Sequence, residues 1–222
     1  MKKIIIIPLL ILSQISFAQT QKQKDSLANE MCKTIVETVN LPDTIRLRNA
    51  FAKHLSAFVS AYPSVNPDSL AESLFYRLQR TCDDFQKLVS KLEPQKGDWA
   101  IVDEKPTRVL DNDGCKTFLK YQNYSYLEAN GDTVNLEIKN GYWIEHLKDS
   151  SYSKLKFKKI NDCEFEIAFV ESNNTIRKNY SKPGDKYKYY IIDKKENYFF
   201  VCTPIIEGQS RFSTFKIYFV KP

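Results

Sequence analysis

Histidine and cysteine, the side chains most often used for acid–base, metal or thiol chemistry near neutral pH, number only two and five in this chain. His54 sits beside Leu55 in a helix-periodic stretch with no second ligand at helical spacing, which marks a structural, partly exposed histidine rather than a metal ligand. His146 follows Glu145 in Trp143-Ile144-Glu145-His146. That pair suits proton transfer by type, but neighbouring strand residues point to opposite faces and cannot easily cooperate. No Gly-x-Ser-x-Gly turn, phosphate-cradling glycine loop or Cys-x-x-Cys pair occurs. Asp111-Asn112-Asp113-Gly114 has the composition of a calcium loop but lacks its downstream glutamate and ligand spacing, and reads as a turn. The residues therefore name no catalytic side chain, no metal ligand and no cofactor, and a hydrolase of unfamiliar type is the one enzymatic alternative.

Binding chemistry is better supplied. Tyr124, Tyr126, Tyr142, Trp143, Tyr187, Tyr189, Tyr198 and Phe200, followed by Phe215, Ile217 and Phe219, are candidates for a barrel interior or mouth that holds a small apolar or amphipathic ligand. The competing reading is that the same rings simply fill a small barrel. Lysines alternate with apolar residues in Lys154-Leu155-Lys156-Phe157-Lys158 and in Lys186-Tyr187-Lys188-Tyr189, which puts charge and rings on opposite faces. Nucleic-acid binding wants them on the same face, so these lysines are read as a solvated wall.

Two kinds of element must position these side chains. From Asp25 to Leu92 the apolar spacing is helical; from about Trp99 it alternates, with Asn-Gly and Pro-Gly punctuation. Leu27, Met31, Ile35 and Val39 define a first helix that Asp25 or Ser26 can cap. Ile45, Phe51, Leu55, Phe58 and Tyr62 define a second, with Asp43 as its cap. Leu70, Leu74, Leu78, Phe85 and Leu88 define a third, opening at Asn66-Pro67 and running to Glu93-Pro94. Short turns between them predict an up-down-up three-helix bundle over 19–93. A joining stretch, 94–114, leads to eight strands over 115–222, the first spanning Lys116 to Glu128. Hairpin-length links demand antiparallel neighbours, and the set is expected to close as an eight-stranded barrel or a strongly curled sheet. The fold class is thus α+β in two parts.

The start of the chain sets the meaning of the cysteines. Lys2 and Lys3, the apolar run Ile4 to Leu12 and the ending Ser16-Phe17-Ala18 form an export signal over 1–18, too short and too interrupted by Pro8 to span a membrane. Cleavage leaves a soluble chain with no membrane span, in the periplasm or the medium, and lowers the formal charge from +6 to +4 by removing two lysines. Disulfides become the default there. Cys32 and Cys82 fall on the first and third helices, parallel neighbours in such a bundle, and their pairing is favoured over buried thiols or a link to Cys202. At 1.5 Å per residue they sit roughly 9 Å and 22 Å above their helix starts, so the helices must be offset. Cys202, in Phe200-Val201-Cys202, alternates with the apolar set and is read as a buried core thiol.

Cys115-Lys116-Thr117-Phe118 and Ile160-Asn161-Asp162-Cys163-Glu164-Phe165 resemble the paired Cys-x-x-Phe and Asp-Cys-x-Phe/Tyr signatures of small lipocalin-like exported proteins of Bacteroidota-type bacteria. The resemblance covers roughly the last 110 residues and implies a small antiparallel barrel with a Cys115–Cys163 disulfide. Closing the 47 residues between those cysteines contributes about 4 kcal/mol in the chain-entropy account. The resulting expectation is a non-catalytic exported protein binding a small ligand in the β-domain. Its competitor is a protein-interaction or envelope-scaffolding role with the helical bundle as docking surface.

Overall fold

No proline or glycine interrupts the run from Gln19 to Glu37, and in the computed structural model helix α1 is continuous over Ile7–Glu37. The start expected at Asp25 or Ser26 is overridden, because glutamines and lysines propagate a helix as readily as those residues cap one. The structure describes the backbone of residues 7–219 and the side chains of 21–219; the export signal expected over 1–18 lies outside the described side chains. The chain divides into two compact units, 1–88 and 89–222. Among the described residues no helix is long and apolar enough to cross a membrane.

Four helices, not three, precede the barrel: α1, α2 (Asp43–Ala61), α3 (Pro67–Thr81) and α4 (Asp83–Leu92). The expected third helix breaks at Cys82, whose backbone is extended at φ −129° and ψ 106°. Asp83 and Asp84 then supply an acidic first turn to α4, and the Cys82 carbonyl accepts from the Gln86 amide. Cys82 bonds Cys32 across a Cα separation of 5.7 Å. The pair meets because the starts of the two helices are not level, α1 beginning well before the expected residue, and because Cys82 sits at a helix end, outside the helical repeat. Leu27, Met31, Ile35, Leu70, Leu74, Leu78, Phe85 and Leu88 form the buried apolar set.

Helix α2 turns a different face inward from the one its apolar stripe suggests. Arg46 and Ala50 are buried, whereas Phe51, Leu55 and Phe58 are half-buried and Tyr62 is exposed. The cause is the α1 terminus: Arg46 donates to the Ile35 carbonyl from Nε at 3.2 Å and Nη2 at 2.8 Å. This satisfies a carbonyl that the helix end leaves without a partner. Pro42, not Asp43, occupies the cap position, and Asp43 lies in the first turn.

The second unit is a closed antiparallel barrel. Its strands are β1 (Ala100–Val102), β2 (Asn123–Leu127), β3 (Thr133–Lys139), β4 (Tyr142–His146), β5 (Tyr152–Lys159), β6 (Glu164–Ser172), β7 (Lys186–Lys194), β8 (Tyr198–Pro204) and β9 (Phe212–Phe219). Strands β2 to β9 pair in sequence order, and β9 returns to β2 through Tyr124↔Phe219 and Ser125↔Tyr218. Eight strands close the ring as the alternation predicted. The stretch 94–114 supplies a ninth: β1 pairs with Phe212 to Thr214 along the same β9 edge. Between β1 and β2, Trp99 stacks on Phe215 at 4.1 Å and its indole N–H donates to the Leu127 carbonyl, completing the seam.

The first expected strand is shorter than read. Residues Asn112–Lys116 form a turn of helix, α5, capped by Asp111 accepting from the Gly114 amide at 2.7 Å, and Phe118–Lys120 form a 3-10 turn. A short α6 (Thr175–Tyr180), capped by Asn174, interrupts the β6–β7 link. The two short helices lie at opposite ends of the barrel, because β2 starts where α5 ends and β6 finishes where α6 begins. Cys115 on α5 bonds Cys163 at the entry to β6, with Cα atoms 5.0 Å apart.

Candidate functional site

Strand alternation places Tyr124, Tyr126, Trp143, Tyr187 and Tyr189 on the inner face of the barrel, with Phe165, Phe199, Phe215 and Phe219. All but Tyr187, which stacks on Tyr180, form one continuous chain of ring contacts. Phe118 stacks on Phe165 at 5.2 Å, Phe165 on Tyr189 at 5.0 Å and on Trp143 at 5.6 Å, and Tyr189 meets Phe215 edge-on at 6.0 Å. Tyr142, Tyr198 and Phe200 occupy the outer wall. Lys154 lies over the Tyr142 ring, Tyr198 packs on Tyr218, and Phe200 joins Ile192, Cys202 and Phe212 outside the barrel. The eight candidate aromatics therefore do not converge on one cavity. Cys202 is a buried free thiol, as its neighbours suggested, but in that outer cluster rather than the barrel core. Burial pushes its thiol up to about 12.

At the α6 end the interior turns polar. Glu145 is inward because it shares the phase of Trp143, and it accepts from the Tyr126 hydroxyl at 2.9 Å and from Trp143 Nε1 at 3.1 Å. Arg177, projecting from α6, lies 3.2 Å from the other Glu145 oxygen, donates to the Tyr126 hydroxyl at 2.9 Å and pairs with Glu128. Burial works against the guanidinium charge, but Tyr126, Glu145 and Glu128 outweigh it and hold Arg177 protonated well beyond its ordinary range. Burial likewise drives the Tyr126 phenol far up, with Arg177 opposing and Glu145 adding to the rise. Tyr187 and Ser181 share a hydrogen bond at 2.5 Å on the same side. The arrangement is an electrostatic clasp that fixes α6 across the barrel mouth. Sequence reasoning passed over Arg177 entirely; Glu145 was legible from its spacing to Trp143.

The other end carries a hollow on its outer wall. After β1 the chain crosses the barrel as a strap, and the amides of Val109 and Leu110 both donate to the Ile192 carbonyl at 3.0 and 3.1 Å. That carbonyl is available because the β7–β8 register slips between Ile191 and Asp193, leaving Ile192 unpaired with β8. Between strap and sheet lies a half-open space of about 440 Å³, bounded by Lys105 and Arg108 on the strap, Asn161 to Glu164 at the β6 entry, and Tyr190 to Ile192 beneath. Arg108 donates to Asn112 Oδ1 at 2.8 Å and rests on the Cys163 sulfur. Nothing in the sequence pattern of 94–114 signalled this role.

The histidines stay apart from both features. His54 Nε2 lies 2.7 Å from the Thr34 hydroxyl, and burial, then the Lys53 charge, hold its imidazole below the ordinary range. His146 is exposed while Glu145 is buried, on opposite faces of β4. Among the described residues no group of three or more His, Cys, Asp or Glu side chains is placed to hold a metal ion. No protein-family model, no curated protein and no solved structure matches the chain.

Proposed function

We propose that this is an exported, non-catalytic binding protein whose β-barrel unit holds a small amphipathic ligand. The observation that carries the reading is the 440 Å³ hollow beside the Cys115–Cys163 bond, which combines charged walls with an apolar floor and falls within the range of small-molecule sites. The barrel axis is occupied by its own stacked rings, so the reading puts the ligand on the wall rather than inside. Two disulfides in a chain with a basic-then-apolar leader fit an oxidising compartment, and export belongs to the same proposal. Native mass spectrometry of protein purified from its own host tests it. A retained small molecule is expected, and a chain that comes off bare or with a stoichiometric protein partner overturns it.

A second reading has its own observation. Val36, Val39 and Leu41, around the α1–α2 turn, are 48%, 60% and 40% exposed. Three apolar side chains exposed so close together suit a protein-interaction or scaffolding role for the helical unit. The stoichiometric partner just named is its expected signature.

A further inference from the structure

We propose that the hollow under the strap takes a small organic carboxylate, its acid group held by Arg108 and Lys105 and its apolar body laid on Tyr190 and Ile192. The inference rests on the ligand-binding reading above and adds the chemical class.

Charge inventory decides the sign. Four charged side chains bound the space: Lys105, Arg108, Asp162 and Glu164. Both carboxylates are already neutralised by lysines of the sheet, Asp162 by Lys159 at 2.6 Å and Glu164 by Lys188 at 3.2 Å. Neither cation has such a partner: among the described residues no carboxylate lies within ion-pair distance of Lys105 or Arg108. Two positive charges are left over on one wall.

Geometry narrows the anion. Arg108 uses only Nη1 for its protein contacts, with Asn112 and the disulfide sulfurs. Its Nε and Nη2 edge remains available, and that planar fork matches the two oxygens of a carboxylate. Lys105 Nζ stands 3.3 Å from the centroid of the Tyr190 ring, so charge and aromatic face meet at one point. Ile192, 4% exposed and on the outer face with Tyr190, supplies an apolar floor whose position the strap fixes, while Ile191 turns into the barrel core. A neutral ligand would use the floor alone, and a cation would meet the surplus positive charge.

The test uses the oxidised full chain and three probes of one shape: 2-naphthoate, its uncharged amide, and 2-naphthylmethylamine. Calorimetry gives affinity, and amide NMR shifts give location. The naphthoate is expected to bind roughly tenfold or more tighter than the amide, the loss of one charge-assisted contact. It should shift Tyr190 and Ile192 signals and weaken as salt is raised. Lys105→Met and Arg108→Met should each cost roughly tenfold in naphthoate affinity, while Lys156→Met on the outer face of β5 changes nothing. Since Arg108 also touches the disulfide, Arg108→Lys serves as the variant that keeps a cation there while losing the fork; it should still bind more weakly than the parent. Equal affinity for acid and amide at these residues overturns the carboxylate class and leaves the ligand-binding reading standing. Shifts confined to other residues, or no shift with any probe at millimolar concentration, overturn the site itself.

Discussion

The two ends of the barrel are closed by different physics. The α6 end is held by charge: Arg177 reaches across the mouth to Tyr126, Glu128 and Glu145, none of them near it in sequence. The α5 end is held by a covalent bond, Cys115 to Cys163, with Phe118 plugged beneath it against Phe165 and Tyr124. A clasp of ions needs a filled, water-poor interior to be worth anything, and it leaves no space of its own. A disulfide fixes the backbone without filling the surface around it, so a strap can pass over that end and enclose a hollow. The end that is chemically locked is the end that can afford an open site.

The α5 end is most vulnerable at its disulfide. Replacing both Cys115 and Cys163 by serine should lower unfolding free energy by about 4 kcal/mol, from a sequence separation of 48, as measured by urea denaturation. An unchanged midpoint would mean the packing beneath holds that end alone. Arg177→Met attacks the other end and should cost about 2–3 kcal/mol, because it strands the buried Glu145 carboxylate while part of the arginine, 25% exposed, was already solvated. Adding Glu145→Gln should return part of that loss, and strict additivity in the double variant would deny the clasp.

Alkaline pH sharpens the contrast further. Burial raises Tyr126 at the clasp, Tyr189 in the ring stack and Tyr124 at the plug above their ordinary range. A raised tyrosine keeps its proton in the fold while the unfolded chain releases it, so stability is complete below about pH 10 and falls above it. Each such tyrosine should remove about 1.4 kcal/mol per pH unit there. Phenolate absorbance amounting to all 13 tyrosines before unfolding would contradict the burial. Gly114→Ala should cost about 1–2 kcal/mol and loosen the strap, since an added Cβ would lie 2.7 Å from Leu110 Cγ. The smallest effect is on Cys202, whose thiol, at about 12, should resist alkylation at neutral pH until the chain unfolds. Labelling of the native protein at the rate of a free thiol would remove it from the outer core.

Local pattern carried most of the fold. Alternation from Thr133 to Lys139 and from Glu164 to Glu171 marked the strands, and Asn140-Gly141, with φ of 52° and 77°, marked the tight turn between β3 and β4. Pattern failed where a residue answers to a distant partner. The break at Cys82 serves Cys32, the inward turn of Arg46 serves the end of α1, and the helical start of what read as a strand serves the Cys115 bond. Residues 94–114 carry no periodicity because their work, as strand edge and strap, is set by β9 and Ile192 rather than by their own faces.

By itself the sequence determined the helical and β halves, the strand phases, and hence which aromatic rings point inward, because side-chain direction follows from backbone repeat alone. Only the tertiary structure decided that those rings fill the barrel, that Arg177 shuts one mouth, and that Lys105 and Arg108 frame a hollow beside the other. Those outcomes depend on which surfaces meet after the ring closes, and closure brings together residues that no local period relates.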